Sequence, residues 1–405
     1  MARTMPRQSR RWFLGLGASL AGALAACRGQ SSAPLEPRAL GAPISPYGAR
    51  SRFERATRFF RPTTIPEEAT SRTPLQDTYG IITPSSLHFE RHHSGVPDLD
   101  PATHTLTIHG LVERPLVFTV DDLKRLPSVS RIVFLECSGN SLSEWKAPGE
   151  RTVQQAHGLT SCSEWTGVKL SLLLEQCGVK PEGTWVLAEG ADACKLDRSI
   201  PIAKAMDDAL VVYGQNGEAL RPEQGYPLRL LLPGWEGNSN VKWLHRLEVL
   251  DRPAMTRWET SKYTDLMPDG TARQFTFDMD AKSLITRPSG GETLGGPGVY
   301  EVTGLAWSGR GGIARVEVSA DGGATWQDAT LQSPVLPRAH TRFTWSWRWD
   351  GREAVLQSRC TDETGYVQPT LAELVAVRGV NSFYHNNAIQ QWKVAADGSI
   401  TNDKA

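Results

Sequence analysis

The stretch Phe134–Asn140, FLECSGN, ends an apolar strand with a cysteine that small, turn-forming residues follow at once. This pattern predicts that Cys137 lies at a strand end facing a cleft, where a thiolate can ligate a soft metal. A free cysteine is more often a small buried hydrophobic side chain. Whether Cys137 is a metal ligand or a core residue must therefore be inferred from the neighbouring stretches of sequence.

Two further stretches carry polar side chains of interest. Residues 87–93, LHFERHH, place three histidines and Arg91 beside a turn. Histidine clusters suggest zinc, but adjacent histidines in an extended segment point to opposite faces and do not converge easily on one ion. Residues 225–244 form an apolar strand containing Arg229, a glycine-rich loop, and Lys242 beyond it. Such a loop can seat a phosphate or another anion, although an ordinary solvent-facing loop explains it equally well.

Length and composition place the chain among globular proteins. It has 405 residues, of which 40% are hydrophobic and 22% charged, as expected for two or three domains. No apolar run reaches about 18 residues, so we expect no transmembrane helix. Lys+Arg and Asp+Glu number 44 each, so the chain has no net positive charge of the kind that indicates nucleic-acid binding.

The N-terminus is typical of an exported protein. Residues 9–14, SRRWFL, precede an apolar stretch rich in Gly and Ala, as in twin-arginine signals. We expect residues 1–27 to be this signal peptide, residues 28–74 to be an N-terminal extension, and the protein to be periplasmic. Residues 24–27, LAAC, also match a lipobox, which would make Cys27 a lipid anchor. A chance cysteine after an alanine-rich cleavage site, or a disordered basic N-terminus, are the alternatives.

The chain has two regions with different secondary-structure patterns. Residues 75–265 mix strand and helix patterns, whereas residues 275–385 show short strands with alternating tryptophans between Gly, Pro and Asp turns. We therefore expect an α+β fold that continues into a β-sandwich, with residues 386–405 as a tail. Residues 319–326, SADGGATW, resemble an Asp-box hairpin, but a single copy indicates a stable turn rather than a propeller. The six cysteines form no Cys-x-x-Cys pair, so covalent c-type haem is excluded as a simple motif.

Taken together, the motifs FxRxHxxVP, ECSGN, GYPLR and VKWL, in this order, resemble the sulfite oxidase family of molybdenum enzymes over about residues 75–390. Within that family the chain is most similar to the sulfane dehydrogenase subunits of thiosulfate oxidation, through LHFERHH, ETSKYTDLMPDG and SFYHNNAIQ. The resemblance implies a molybdopterin-binding catalytic domain at 75–265 and an immunoglobulin-like β-sandwich dimerisation domain at 275–385. It also implies molybdenum held by a molybdopterin cofactor.

The same resemblance implies roles for individual residues. Cys137 matches the cysteine that ligates molybdenum, Arg91 the arginine that faces the substrate oxyanion, and Tyr263 the tyrosine beside the metal. The positions that match residues holding the cofactor and its phosphate are His88, Phe89, Glu90, Arg91, His92, Cys137, Asp192, Gln224, Arg229, Asn240, Val241 and Lys242.

The chain also departs from the family pattern. Animal and plant sulfite oxidases follow their cysteine motif with arginines, whereas this chain continues Ser141-Leu142-Ser143-Glu144, and Gln224 stands where some relatives have histidine. Fewer basic residues imply a weaker anion site, and therefore less efficient use of free sulfite.

The resulting hypothesis is a periplasmic molybdenum oxidoreductase that oxidises sulfane sulfur on the cysteine of a carrier protein. Because the chain has no haem motif, its electrons would pass to a periplasmic c-type cytochrome, in a homodimer or a heterotetramer with that cytochrome. A direct sulfite dehydrogenase is the alternative; a sulfoxide reductase fits less well, since the shorter reductases generally lack the β domain. A third alternative is an exported binding protein that kept the scaffold and lost the chemistry.

Overall fold

The computed structural model describes residues 40–146 and 151–402, so the expected signal peptide and Cys27 lie outside the described residues. Residues 40–55 belong to a unit of their own and contain no helix or strand. No helix in the described ranges is long and apolar enough to cross a membrane.

The first part of the chain mixes short helices with strands. Its helices are α1 (Val120–Arg125), α2 (Val153–His157), α3 (Leu170–Cys177), α4 (Ile202–Asp207) and α5 (Arg257–Thr260). Its strands are β1 (Phe59–Arg61), β2 (Thr70–Arg72), β3 (Glu90–Arg91), β4 (Thr105–Gly110), β5 (Leu116–Thr119), β6 (Ser128–Glu136), β7 (Thr160–Lys169), β8 (Trp185–Gly190), β9 (Asp197–Pro201), β10 (Leu210–Gln215), β11 (Glu218–Ala219), β12 (Arg229–Leu231), β13 (Leu244–Leu250), β14 (Asp265–Leu266) and β15 (Ala272–Arg273). Single 3-10 turns cover Pro66–Glu68, Leu75–Asp77, Ser85–Leu87, Leu142–Trp145, Pro222–Gln224 and Gly237–Ser239.

These strands form two five-stranded sheets. One has the order β11-β10-β7-β6 with β12 also paired to β10, and the other has the order β5-β4-β13-β8-β9. The second sheet is mixed, because β13 runs parallel to β4 and antiparallel to β8. Helices α1, α3 and α4 bury their apolar residues, such as Leu123 and Leu173, in one core with both sheets. Strands β1 and β2 come from the expected N-terminal extension and pair in the order β1-β2-β3, so that segment holds the strand that carries Arg91.

Local sequence signals explain where several elements begin and end. Helix α1 starts at Thr119, whose side chain accepts the amide of Asp122 while the Asp122 carboxylate accepts the Thr119 amide. Helix α3 ends at Gly178, whose φ of 71° is the left-handed conformation that glycine adopts without steric cost. Both signals are local properties of the sequence.

The second part of the chain is a β-sandwich with one helix, α6 (Leu371–Arg378). Its strands are β16 (Lys282–Arg287), β17 (Gly298–Trp307), β18 (Ile313–Ser319), β19 (Gln327–Asp328), β20 (Thr330–Leu331), β21 (Thr341–Trp349), β22 (Ala354–Asp362), β23 (Gln391–Val394) and β24 (Ile400–Thr401). One sheet has the order β16-β17-β21-β20 and the other β19-β18-β22-β23-β24. Their facing side chains share one core, which includes Val302, Val316 and Phe343. The α+β fold with a following sandwich is therefore confirmed.

The structure differs from the sequence expectation at the end of the chain. Strands β23 and β24 lie within residues 386–405, which were expected to be a tail; β23 pairs with β22, and β24 pairs with β23. The reason is burial, since Trp392 and Val394 are enclosed in the sandwich core. The Asp-box stretch forms the hairpin between β18 and β19, where Asp321 accepts the amide of Thr325 at 2.9 Å.

Candidate active site

Cys137 follows directly after β6, at the end of the strand. Its amide donates to the Leu159 carbonyl at 2.9 Å, and its own carbonyl accepts the Asn140 amide at 2.8 Å, so a tight turn fixes the residue. The thiol is free and partly exposed. Burial of its surroundings raises the pKa of the Cys137 thiol, although the Gly139 amide and the charge of Arg91 oppose this effect. The thiol therefore stays protonated at neutral pH unless a metal displaces the proton.

Cys137 lies in a cleft with about 530 Å³ of space, part of which is open to solvent. Among the lining side chains are three cations, Arg91, Arg229 and Lys242, and no carboxylate. The full lining consists of Phe89, Arg91, His93, Cys137, Leu196, Gln224, Arg229, Gly237, Asn238, Asn240, Lys242 and Tyr263. The charge of this lining favours an anionic ligand.

Arg91, His93 and Tyr263 form a hydrogen-bonded chain across the cleft. Arg91 donates from Nη2 to His93 Nδ1 at 3.3 Å, and His93 Nε2 lies 2.6 Å from the Tyr263 hydroxyl. Burial and the neighbouring charge of Arg91 lower the pKa of His93 to about 3, so the imidazole is neutral. Because Nδ1 accepts from arginine, Nε2 must carry the proton and donate it to the Tyr263 oxygen. The phenol proton of Tyr263 is then free to point to another acceptor.

Tyr263 is held from several sides. Its backbone is in the left-handed region with φ 51°, a conformation that costs energy for a residue other than glycine. Its amide donates to the Tyr384 hydroxyl at 3.4 Å, and the buried guanidinium of Arg198 lies 5.3 Å from its ring centroid. Burial raises the pKa of Tyr263, so the group remains a neutral phenol that can donate a hydrogen bond.

Lys242 lies beside Arg229 in the cleft, because the two residues form an antiparallel β-bridge. Its ammonium donates to His92 Nδ1 at 2.6 Å and to the carbonyls of Arg91 and Glu223. His92 in turn contacts Glu90 through Nε2 at 2.9 Å, and Glu90 pairs with Arg58. Burial, followed by the charge of Arg229, lowers the pKa of Lys242 well below its usual value, and the charges of Glu90 and Asp192 oppose this shift only in part.

Arg229 and His88 belong to the same group of residues, since the charges of Arg229 and Lys242 both act on His88. Arg229 donates to both oxygens of Gln224, the carbonyl at 3.1 Å and the side-chain oxygen at 3.3 Å. Burial lowers the pKa of Arg229 to about 9. His88 Nδ1 lies 3.1 Å from the Phe89 carbonyl, which the Gln224 amide also contacts at 2.9 Å. Burial lowers the pKa of His88 to about 3, so it too is neutral.

The side chains of three expected cofactor residues, Val241, Asp192 and Asn240, make contacts other than those of the hydrogen-bonded groups described above. Val241 is fully buried in the apolar core. Asp192 accepts from the Leu196 amide and from the Cys194 thiol, and it does not line the cleft. Asn240 lines the cleft, but its amide accepts from the Leu232 amide at 2.6 Å and donates to the Glu236 carbonyl, so it shapes the loop. These contacts assign structural work to the three side chains.

The structure also brings in residues that the sequence analysis did not single out for a role. His93, Leu196, Gly237 and Asn238 line the cleft. His93 is the histidine of the FxRxHxxVP motif, so that signal was present in the sequence. Gly237 is needed for close packing, since a Cβ there would lie 2.8 Å from the Glu136 carbonyl oxygen. His157 does not line the cleft; it is buried, and its Nδ1 lies 2.7 Å from the Ser141 hydroxyl.

The donor groups of the cleft fit a cofactor with an anionic phosphate. Arg229 Nε and His88 Nε2 are buried and have no hydrogen-bond partner among the described residues. Because the neutral His88 donates from Nδ1 to the Phe89 carbonyl, its Nε2 is an acceptor, whereas Arg229 Nε is a donor. Buried polar atoms without a partner are rare unless a ligand satisfies them. Arg229 and Lys242 would hold the phosphate, His88 would accept from the polar edge of a pterin, and Cys137 would offer its sulfur to molybdenum.

Comparisons with known proteins agree with this geometry. The family described as "Oxidoreductase molybdopterin binding domain" matches residues 93–258, and "Mo-co oxidoreductase dimerisation domain" matches residues 273–392. Mitochondrial sulfite oxidase of Rattus norvegicus is 34% identical over 334 residues, which cover 75% of this chain and 60% of that protein. The nitrate reductase (NADH) of Ulva prolifera is 34% identical over 66% of this chain and 34% of its own length.

A solved structure is also similar over most of its length. The sulfane dehydrogenase SoxCD from Paracoccus pantotrophus matches with a TM-score of 0.89 and 48% identity, over 91% of this chain and 96% of the matched chain. The chain spans about 60% of the length of the curated sulfite oxidases that it matches. On these matches, the chain belongs to the sulfite oxidase family of molybdopterin-binding molybdenum oxidoreductases.

Proposed function

We propose that this protein oxidises reduced sulfur, specifically the sulfane sulfur bound to a cysteine of a carrier protein. The observation that carries the proposal is the cleft itself, where a free Cys137 lies among three cations and a neutral phenol, with no carboxylate in the lining. The similarity to a sulfane dehydrogenase at 48% identity supports the choice of substrate. The bound cofactor supplies two-electron oxygen-transfer chemistry between water and sulfur.

The residues of the chain then have separable roles. Arg91 binds the growing sulfur oxyanion, since its guanidinium can direct two donors at oxygens while it also contacts His93. Tyr263 donates its phenol proton to an oxygen near the sulfur. The proton is free for this because His93 donates a hydrogen bond to the phenol oxygen, which acts as the acceptor. Each oxygen added to sulfur comes from one water and releases two protons and two electrons. Arg229 and Lys242 hold the cofactor, and Cys137 ligates its metal.

The proposal includes a location, partners and domain limits. The twin-arginine motif in residues 9–14 supports export of the folded protein to the periplasm, and LAAC at 24–27 supports a lipid anchor at Cys27. A c-type cytochrome is the proposed electron acceptor, and the match to a dimerisation domain supports assembly of the sandwich into a dimer. We place the catalytic domain at 75–265, after an extension at 28–74, and the dimerisation domain from 275 to the end of β24, since β23 and β24 complete the sandwich.

The direct test compares two substrates with the purified holoenzyme and cytochrome c as acceptor. We expect cytochrome reduction with a carrier protein whose cysteine bears a sulfane sulfur, and much slower reduction with sulfite. The matched control is the same carrier with its cysteine blocked by alkylation, which must give no reduction. Equal rates with loaded and blocked carrier would refute the sulfane assignment.

Direct sulfite oxidation is the second candidate. The three cleft cations favour it, as does the 34% identity with sulfite oxidases. Ser141 argues against it, because it takes the place of an arginine and its hydroxyl points to His157 and Lys282 rather than to the cleft. A sulfite rate that exceeds the rate with the loaded carrier would make this candidate the function.

A further inference from the structure

Lys282 is a fully buried lysine at the start of β16, in the β-sandwich part of the chain, and it lies outside the cleft lining. Its ammonium donates to Glu136 Oε1 at 3.0 Å and to Ser141 Oγ at 2.8 Å. Glu136 is the residue immediately before Cys137, and Ser141 is the residue immediately after the ECSGN turn. A charge from the sandwich therefore reaches the turn that presents the cysteine.

Glu136 is equally buried, and both of its oxygens are occupied. Oε1 also accepts from the Asn140 amide at 2.9 Å, and Oε2 accepts from the Trp307 indole at 2.8 Å. Trp307 ends β17, so two strands of the sandwich hold this one carboxylate. Packing alone does not require an ion pair here, since buried pairs are often no more stabilising than apolar residues of the same volume.

The pair has an electrostatic consequence for its neighbour. A carboxylate one residue from Cys137 places negative charge close to the sulfur. In a buried, low-dielectric environment such a charge acts over a longer distance than in water. The ammonium of Lys282 lies 3.0 Å from the carboxylate, so its positive charge opposes this field.

We propose that Lys282 is a positioning residue that sets the electrostatic environment of the Cys137 thiolate by neutralising Glu136. This inference rests on Cys137 being the molybdenum ligand, but it does not depend on the identity of the sulfur substrate. It assigns the sandwich a part in tuning the metal site, in addition to its match to a dimerisation domain.

The test is the midpoint potential of the molybdenum in the holoenzyme, measured by redox titration with electron paramagnetic resonance at pH 8. We compare Lys282→Met, Glu136→Gln and the double variant, each with its molybdenum content per chain. Lys282→Met leaves an uncompensated negative charge and should shift the potential downward. Glu136→Gln leaves an uncompensated positive charge and should shift it upward. The double variant should return close to the wild-type value.

The matched control is Lys204→Met, which removes a lysine from another ion pair, with Asp208 at 2.8 Å, and should leave the potential unchanged. Unshifted potentials in both single variants with full molybdenum, or a double variant displaced as far as a single one, would overturn the proposal. If Lys282→Met does not fold, Glu136→Gln and the double variant still decide. Retention of molybdenum by Cys137→Ala would instead remove the premise, and a substrate other than sulfane sulfur would leave the potential shifts intact.

Discussion

The cleft around Cys137 and the contact between Glu136 and the sandwich use buried charge in opposite ways. At the cleft, Arg229 and the neighbouring His88 each have a buried nitrogen with no hydrogen-bond partner among the described residues, and the cations face no carboxylate in the lining. At the contact, Lys282 donates to two side-chain oxygens, and both oxygens of Glu136 accept hydrogen bonds. Unpaired buried polar atoms mark a place prepared for a ligand, whereas paired charges hold structure. The difference separates residues that would bind the cofactor from residues that hold the structure around it.

The strongest test of this contrast is the loss of the proposed metal ligand. The molybdenum content and the activity of Cys137→Ala should each fall by more than about 100-fold. The reason is that removing a group that only hydrogen-bonds a metal ligand already lowers metal affinity or activity by about 10 to 100-fold. Elemental analysis and turnover are the measurements. Cys360→Ala, which removes a buried thiol from the sandwich, is the control and should retain the metal. Full molybdenum in Cys137→Ala would contradict the assignment of the cleft.

The paired region makes a stability prediction. Lys282→Met should lower the free energy of unfolding by about 3 to 5 kcal/mol, because it leaves a buried carboxylate without its counter-ion. The double variant Glu136→Gln/Lys282→Met should recover most of that loss. Urea unfolding followed by tryptophan fluorescence measures both. The exposed pair Arg125–Asp122 provides the control, and Arg125→Ala should cost less than about 1 kcal/mol.

Within the cleft, Tyr263→Phe removes a donor while keeping the ring. We expect kcat to fall by about 10² to 10³-fold, the usual cost of losing one preorganised donor, with a smaller change in KM. Steady-state kinetics with the loaded carrier measure the split between the two constants. Tyr213→Phe, outside the cleft, should behave as the wild type. A Tyr263→Phe enzyme with unchanged kcat would show that the phenol does not take part in the reaction.

The neutral histidines of the cleft predict a pH dependence of stability. The pKa of His88 is lowered to about 3 and that of His92 to about 4, both chiefly by burial, so the folded protein binds fewer protons than the unfolded chain below pH 6.5. Stability should therefore fall as the pH falls through 6.5 towards 4, by about 2 kcal/mol per histidine at pH 5. Denaturant unfolding between pH 7 and 5 is the measurement, and His88→Gln should flatten the slope. An unchanged slope in His88→Gln would mean that this imidazole is not buried in the neutral form.

Several site residues were accessible from sequence because local chemistry and motif spacing identify them. FLECSGN indicated a cysteine at a strand end, and the structure places Cys137 there. The cations Arg91, Arg229 and Lys242 came from the motifs and share one cleft. His93 was overlooked although it stands in the same motif, because neighbouring histidines in an extended segment look equivalent until the fold orients them. Its partner Tyr263 lies 170 residues away along the chain.

By itself, the sequence determined the α+β domain with its sandwich, the family and most of the polar residues, since alternation, helix caps and motif spacing are local properties of the chain. Only the tertiary structure decided which donors stay unpaired, that Val241 and Asp192 face away from the cleft lining, and that β23 and β24 complete the sandwich. It also brought Lys282 to Glu136 across 146 residues. Such long-range pairings depend on how the sheets pack. The same packing buries the charged groups, and burial determines how strongly each charge acts on its neighbours.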